Sequence, residues 1–286
     1  ISPEMLVLNS DFKAANLACV NEVGLDPGID HSMAHFLVND LKKSLPKNDV
    51  SVDFISYCGG VPKIPNPFRY KFSWSPAGVL KALKSPSKSI KNGEIWDVER
   101  PWDAITRYTA PLPKPEEFEV YPNRDSLPFL KQYHFNPDWH VNQFVRGTLR
   151  LDGWSKAWSN VFSEIENLTF PEGDTRLQEM SNEFWAENAY EENEPDRVIL
   201  CVSLSAKSNS ETLYHKSYVL DAWGTQESSA MARLVSIPVA TAVEAIKNGE
   251  IKPGVTSAPD SPDLVDRWMV MVESLSQHLE IVDHLQ

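Results

Sequence analysis

A carboxylate lies at the centre of a rigid acidic turn, at Asp26 in Leu25-Asp26-Pro27-Gly28. Strand-like residues precede it, Pro27 fixes one backbone angle, and Gly28 permits a tight bend. In open α/β sheets, ligands bind at the carboxyl ends of strands. We therefore expect Asp26 to be held where it can meet the amine of a substrate. The alternative is an ordinary acidic loop in which Asp30 caps the next helix, since Asp-Pro-Gly runs are common in turns.

The elements that position this turn follow from hydrophobic spacing and from the placement of Gly and Pro. A helix is predicted from Ser2 to about Asn16 and another from Asp30, with a strand at 18–23 between them. The other predicted strands cover 50–57, 118–121, 141–151, 198–205 and 213–223, and the other predicted helices cover 79–83, 154–168, part of 172–196, 226–248 and a segment that ends at 277. This mixture predicts an α/β (α+β) fold with a mixed sheet and helices.

The composition restricts the class of protein. The 286 residues can bury a substantial core, and 40 acidic against 27 basic residues give a net charge of −13, which argues against a nucleic-acid partner. Three scattered cysteines favour a reducing compartment, and no apolar run is long enough for a membrane span. A cytoplasmic protein without a membrane partner is therefore expected. Because the chain starts at Ile1 and enters a helix at once, we expect an N-terminal part to precede it.

Five motifs that occur in order along the chain together resemble one family. They are Asn21-Glu22-Val23-Gly24-Leu25-Asp26-Pro27-Gly28-Ile29-Asp30-His31, Ser56-Tyr57-Cys58-Gly59-Gly60, Tyr70-Lys71-Phe72-Ser73-Trp74-Ser75, Tyr121-Pro122-Asn123-Arg124-Asp125-Ser126 and Arg146-Gly147-Thr148-Leu149-Arg150. The combination resembles saccharopine reductase, the glutamate-forming saccharopine dehydrogenase of lysine metabolism. The resemblance covers Ile1 to about Leu151 and resumes from about Arg197 to Pro253.

The resemblance implies three parts and a cofactor. Residues 1–30 would be the C-terminal remnant of a Rossmann domain, 31–225 a substrate-binding and dimerisation domain with a short helical insertion near 155–195, and 226–286 helices that pack back toward the Rossmann side. The family uses NADP(H), but this chain contains no Gly-x-Gly-x-x-Gly sequence. NADP(H) is therefore not expected to bind this chain alone. A homodimer is expected from the same resemblance.

The activity that the resemblance implies is reductive condensation of α-aminoadipate semialdehyde with glutamate to give saccharopine, or the reverse reaction. Glutamate and saccharopine are then the expected amino-acid substrates of an NADP-dependent oxidoreductase that acts on a CH–NH bond. Two alternatives stay open. One is a related imine reductase that acts on a polyamine precursor, and the other is a non-catalytic dimerisation or binding module without a cofactor domain.

The resemblance also assigns site residues, position by position. Asp26 and Cys58 are the expected catalytic residues; Asp26 would first stabilise a protonated amine, and its use as a general base stays open. The expected substrate contacts are Asp26, Arg124, Thr148, Leu149 and Arg150, and the expected cofactor contacts are Leu25, Asp26, Pro27 and Ser75.

Plainer interpretations exist for several of these residues. Cys58 could be an inert buried thiol, Arg124 could pair with Asp125 at the surface, and Leu149 could simply be core. No metal site is expected, because His31 and His35 have a ligand-like spacing but no third ligand attached to the pattern.

Overall fold

The computed structural model describes residues 1–45, 49–169, 171 and 173–286. The elements in chain order are α1 (Pro3–Val7), α2 (Asn9–Ala14), β1 (Ala18–Val20), α3 (Ile29–Ser44), β2 (Ser51–Pro62), α4 (Pro76–Leu83), β3 (Ser87–Lys91), β4 (Glu94–Val98), a 3-10 turn (Pro101–Ala104), β5 (Thr106–Ala110), β6 (Glu116–Pro122), α5 (Pro128–Gln132), β7 (His140–Leu151), α6 (Trp154–Ala157), α7 (Ser159–Asn167), α8 (Gly173–Asn188), β8 (Asp196–Ser208), β9 (Glu211–Trp223), α9 (Ala230–Lys247), β10 (Gly254–Thr256), α10 (Pro262–Leu275) and β11 (His278–Asp283).

Among the described residues, one mixed sheet contains nine strands, seven of which follow the order β11-β9-β8-β2-β7-β3-β4. Strand β6 pairs with the second half of β7 and with β5. Strands β2 and β7 run parallel, whereas β8 and β9 form a long antiparallel pair. A separate parallel pair joins β1 to β10. The predicted α/β (α+β) class with a mixed sheet is confirmed.

Two apolar regions fix the helices against this sheet. Met33, Leu37 and Leu41 recur every four residues along α3 and are fully buried between the sheet and α10. An aromatic core around Trp154 and Trp158 holds α4, α6, α7 and α8 together. The first region orients the helix that follows the acidic turn, and the second supports the end of β7.

The element boundaries differ from the predicted ones where local signals are weak. The first predicted helix is two short helices, α1 and α2, and the predicted helix 226–248 begins at Ala230. The tail after α10 is strand β11, which pairs with β9. Strands β3, β4, β5 and β10 and helix α5 were missed. The β3–β4 hairpin turns at Asn92-Gly93, but β3 contains only one apolar residue, so the alternation of apolar residues is weak.

Asp196 connects the start of β8 to the start of α9. The buried carboxylate accepts N–H bonds from Ala230 at 2.7 Å and from Met231 at 2.8 Å. Such a cap satisfies free helix N–H groups and suits the positive end of the helix dipole.

We expect Asp196→Ala to lower the free energy of unfolding by about 2 kcal/mol in urea denaturation followed by circular dichroism. Asp97→Ala, which removes an exposed strand carboxylate, is the matched control and should cost less than about 0.5 kcal/mol. Equal losses would contradict the capping role.

Candidate functional site

The parallel strands β2 and β7 bring polar side chains together on one face of the sheet. Ser56 pairs with Arg146, and Cys58 pairs with Thr148. Because side chains alternate between the faces of a strand, Arg146, Thr148 and Arg150 share a face with Ser56 and Cys58. The carboxyl ends of both strands lie at the same edge of the sheet, and we call the region of this face around Asp26, Arg146 and Thr148 the cleft.

The acidic turn lies over the same edge and is held by its own backbone. The Gly24 N–H donates to the Pro27 carbonyl at 3.1 Å. A Cβ on Gly28 would lie 2.1 Å from the Gly24 oxygen, so only glycine fits there. Asp30 lies inside the first turn of α3, where its Oδ1 accepts the Gly28 N–H at 2.6 Å. The tight turn leaves Asp26 on the cleft side.

One guanidinium group links two carboxylates at the centre of the cleft. Arg146 Nη2 donates to Asp26 Oδ1 at 2.6 Å and to Asp30 Oδ2 at 2.7 Å. The Asp30 side chain is fully buried, whereas 26% of the Asp26 side chain is exposed. The sequence interpretation quoted Arg146 and Asp30 within motifs but gave neither a role in the site. The available signal for Arg146 was its position two residues before Thr148, on the same face of a strand.

The two carboxylates have opposite pKa shifts. Burial and the charge of Asp30 raise the pKa of Asp26, against the lowering effect of Arg146, His31 and Arg124. Burial also acts to raise the pKa of Asp30, but His31 and Arg146 bring it below its ordinary value. Asp26 is therefore the carboxylate of the pair that takes up a proton more readily.

Arg124 lies in the loop that follows β6. Its side chain is exposed, its backbone is left-handed with φ +56°, and its carbonyl accepts the Lys88 N–H at 2.9 Å. Arg124 is near enough for its charge to lower the pKa of Asp26. Asp125, the alternative partner of Arg124, accepts the N–H of Leu127 at 2.9 Å. The structure thus brings Asp26 and Arg124, far apart in sequence, close enough for their charges to interact.

Arg150 is a buried cation surrounded by aromatic rings. Its guanidinium carbon lies 4.8 Å from the centre of the Tyr70 ring, 5.4 Å from Trp154 and 5.8 Å from Tyr121. Within the described part of the chain, no carboxylate lies within ion-pair distance of Arg150. A buried charge without a counter-ion is costly, so this arrangement favours an anionic ligand.

Thr148 and Leu149 differ in what they can offer to a ligand. Thr148 is half-buried on the cleft face, beside the Tyr121 hydroxyl. The Leu149 side chain is fully buried in the core on the opposite face, so only its backbone is available to the cleft.

Cys58 lies on the cleft face as a buried thiol. Burial and the charges of Asp26 and Asp30 raise its pKa well above the ordinary value. The thiol is therefore protonated at neutral pH, so it could donate a proton or a hydrogen bond, but it is not a ready base.

Comparison with known proteins shows the family. Residues 24–276 match the family described as "Saccharopine dehydrogenase C-terminal domain". The chain belongs to this family. The apo saccharopine dehydrogenase (L-Glu forming) from Saccharomyces cerevisiae has a similar structure, with a TM-score of 0.77 and 25% identity over 99% of this chain and 78% of that chain.

Curated relatives agree with this membership in the saccharopine dehydrogenase C-terminal domain family. The NADP(+), L-glutamate-forming saccharopine dehydrogenase of S. cerevisiae is 29% identical over 336 residues, covering 94% of this chain and 74% of the relative. The "Alpha-aminoadipic semialdehyde synthase" of Arabidopsis thaliana is 38% identical over 162 residues, covering 54% of this chain. The chain spans only 15% of that plant protein and 35% of the rat protein of similar name. Among the described residues, no helix combines the length and apolarity that a membrane span requires.

The four positions that were predicted to contact the cofactor differ in exposure. Leu25 is buried, so it can offer only its backbone, whereas Asp26 and Pro27 are exposed. Ser75 is also exposed, and its hydroxyl accepts the Gly78 N–H at 3.4 Å at the start of α4. The exposed positions are open to a ligand that approaches from outside the cleft.

A buried polar chain behind Asp30 was not predicted from the sequence. The Tyr133 hydroxyl donates to Asp30 Oδ2 at 3.3 Å and lies 2.7 Å from His31 Nδ1. His31 Nε2 in turn lies 3.5 Å from Glu22 Oε2. His31 thus belongs to the support of Asp30. The described residues contain no group of three or more His, Cys, Asp or Glu side chains that could hold a metal ion.

Proposed function

We propose that this chain is the substrate-binding part of an NADP-dependent, glutamate-forming saccharopine dehydrogenase of lysine metabolism. The reaction would be reductive condensation of α-aminoadipate semialdehyde with glutamate, or its reverse. The observation that carries this proposal is the set of charges on one face of β2 and β7: Asp26 pairs with Arg146 and interacts with the charge of Arg124, and Arg150 is a buried cation without a carboxylate partner among the described residues. A substrate that joins several carboxylates through a secondary amine needs both kinds of charge.

The charges suggest a division of roles. Arg124 and Arg150 would hold carboxylates of glutamate or saccharopine, since a guanidinium fork matches a carboxylate with two hydrogen bonds. Thr148 and the backbone of Leu149 would complete that contact. Asp26 would stabilise the protonated amine and could exchange a proton with it, and the neutral Cys58 thiol would line the same space.

NADPH, when bound, supplies the hydride that reduces the imine. The residues of this chain that would lie against its nicotinamide end are Leu25, Asp26, Pro27 and Ser75. The exposure of Asp26, Pro27 and Ser75 supports contact with one end of the cofactor, and buried Leu25 would contribute only its backbone. The sequence has no glycine-rich phosphate loop, so the remainder of the cofactor would need residues outside this chain.

The division into residues 1–30, 31–225 and 226–286 is part of the same proposal. It is supported by the parallel β1–β10 pair, which joins the first and last parts separately from the nine-stranded sheet. The homodimer follows from the family resemblance and stays a prediction. The cytoplasmic location also stays a prediction. The rat, mouse and cattle relatives are named as mitochondrial proteins.

The test is turnover by the full-length protein that contains this chain. We expect NADPH oxidation that requires both glutamate and α-aminoadipate semialdehyde. Preference for a polyamine-derived aldehyde would favour the alternative imine reductase, and absence of turnover with intact NADPH binding would contradict the proposal. The names of the relatives do not favour the polyamine alternative.

Arg124→Ala is expected to lower kcat/KM for glutamate about 10- to 100-fold, because a hydrogen bond to a charged group contributes roughly 1.5–3 kcal/mol. The loss should appear mainly as a higher KM in steady-state kinetics. Arg107→Ala removes an exposed arginine of β5 and is the matched control, with an expected change below about twofold. Wild-type KM in Arg124→Ala would exclude this residue from the substrate site.

A further inference from the structure

The three charged groups at the centre of the cleft differ in how firmly they are held. Asp30 is fully buried and is fixed by the Gly28 N–H, by Arg146 and by the Tyr133 hydroxyl. The Arg146 guanidinium lies 3.9 Å from the centre of the Phe129 ring. Asp26 is the most exposed of the three and has the fewest contacts among those described. It is therefore the member that can change partner.

The charge balance shows what partner Asp26 would take. Within the hydrogen-bonded group of Asp26, Arg146 and Asp30, two carboxylates and one guanidinium leave one net negative charge, which attracts a cation such as an ammonium or iminium group. If Arg146 had Asp26 alone as its counter-ion, a move of Asp26 to a substrate would leave a buried, unpaired guanidinium, which is strongly destabilising. Asp30 removes that penalty, because Arg146 stays paired when Asp26 turns to the substrate.

Other titratable or charged groups also act on this centre. They are His31 on α3, Arg124 on the loop after β6, Cys58 on β2 and Tyr133 after α5. Neither replacement of Asp30 nor replacement of Arg146 removes any of these groups, so the effects of the two replacements on Asp26 can be compared.

We infer that Asp30 and Arg146 form a positioning pair that holds the Asp26 carboxylate at the cleft and releases it to the cationic nitrogen of the bound substrate. This inference rests on the proposed function for the identity of the substrate. Neither Asp30 nor Arg146 has to touch the reacting atoms. Both act through the charge and orientation of Asp26.

The decisive experiment compares the pH profiles of kcat/KM for Asp30→Asn and Arg146→Met in the full-length enzyme, in the saccharopine-oxidising direction. Asp26 must be ionised to pair with a cation, so activity falls as the pH drops through its pKa. This fall in activity is the acid limb of the pH profile. Removal of the Asp30 charge lowers that pKa, so the acid limb moves to lower pH by roughly one unit. Removal of the Arg146 charge raises it, so the acid limb moves to higher pH by roughly one unit.

Opposite shifts of the acid limb in the two variants would distinguish a positioning role from a purely structural one. Structural damage would lower activity without shifting the acid limbs of the two variants in opposite directions. Both variants should also lose about tenfold in kcat/KM at the pH optimum. Arg146→Lys keeps a cation that cannot easily reach both carboxylates, so its limb should move upward by less, and it replaces Arg146→Met if that variant does not fold. The matched controls, Asp152→Asn and Arg107→Met, alter an exposed pair and should leave the profile unchanged.

A second measurement keeps this inference separate from the proposed function. The Asp26 carboxyl can be titrated by carbon-13 NMR, with its resonance assigned by comparison with Asp26→Asn. We expect the same opposite shifts whether or not saccharopine is the substrate. Shifts of the same sign, or none, would overturn the positioning pair. Lack of saccharopine turnover by the wild-type enzyme would instead count against the proposed function alone.

Discussion

Arg150→Met is expected to lower kcat/KM for saccharopine about 100- to 1000-fold with little loss of stability. Truncation of one partner in a buried, hydrogen-bonded charge pair costs about 2–5 kcal/mol, and about 1.4 kcal/mol corresponds to tenfold. Arg150 is only 6% exposed and lies among Tyr70, Tyr121 and Trp154, which can pack against a methionine side chain as well. Replacement of a buried ion by an apolar group of similar length is often neutral for folding. Steady-state kinetics and urea denaturation of the same preparation measure both quantities.

Two further variants show whether the guanidinium itself is required. Arg150→Lys retains the charge but not the planar fork, so it should recover only part of the activity. Arg176→Met removes an arginine that pairs with exposed glutamates of α7 and α8, and it should change kcat/KM by less than about twofold. If Arg150→Met binds saccharopine normally and is also more stable, Arg150 has no role in the ligand site.

The part of this site that the sequence could predict is local. The bend at Gly28 needs a residue without a side chain because Gly24 lies against it, and both glycines are within the same five-residue turn. The long strands β7, β8 and β9 were also predicted, since a strand-like pattern extends over eight or more residues in each. Asp26 and the strand that carries Arg150 could therefore be found without coordinates.

The contacts of Arg146 could not be found in that way. Arg146 is separated in sequence from Asp30 by 116 positions and from Asp26 by 120 positions. The contacts also depend on the strand register that places Ser56 beside Arg146. Hydrophobic patterning fixes which face a residue occupies, but it does not identify its partner on another element. The family resemblance pointed to Arg124, whereas the structure shows that Arg146 makes the direct contact with Asp26.

Trp158→Ala is expected to lower the free energy of unfolding by about 3–5 kcal/mol, because it opens a cavity in the aromatic core. Trp158 is fully buried, and its ring centre lies 4.7 Å from that of Phe68 and 5.1 Å from that of Trp154. Its indole N–H donates to the Phe68 carbonyl at 3.0 Å. Since whole domains have about 5–15 kcal/mol of stability, a loss of this size should be evident in urea denaturation. Trp185→Ala, in which a half-exposed tryptophan of α8 is removed, is the matched control and should cost less than about 1 kcal/mol.

The same substitution links the aromatic core to the site. Trp158 contacts Tyr70 and Trp154, the rings that lie against Arg150, so a cavity at Trp158 should let both rings move. We expect Trp158→Ala to raise KM for saccharopine about tenfold at a temperature where the protein stays folded, whereas Asp196→Ala, which destabilises a different helix, should leave KM unchanged. Trp158→Phe retains a ring but leaves the Phe68 carbonyl without its donor, and an intermediate loss of about 1–3 kcal/mol is expected. If Trp158→Ala lowers the free energy of unfolding by less than about 1 kcal/mol, helices α4 and α6 to α8 do not form a coupled core. The hypothesis that this core supports Arg150 would then be wrong.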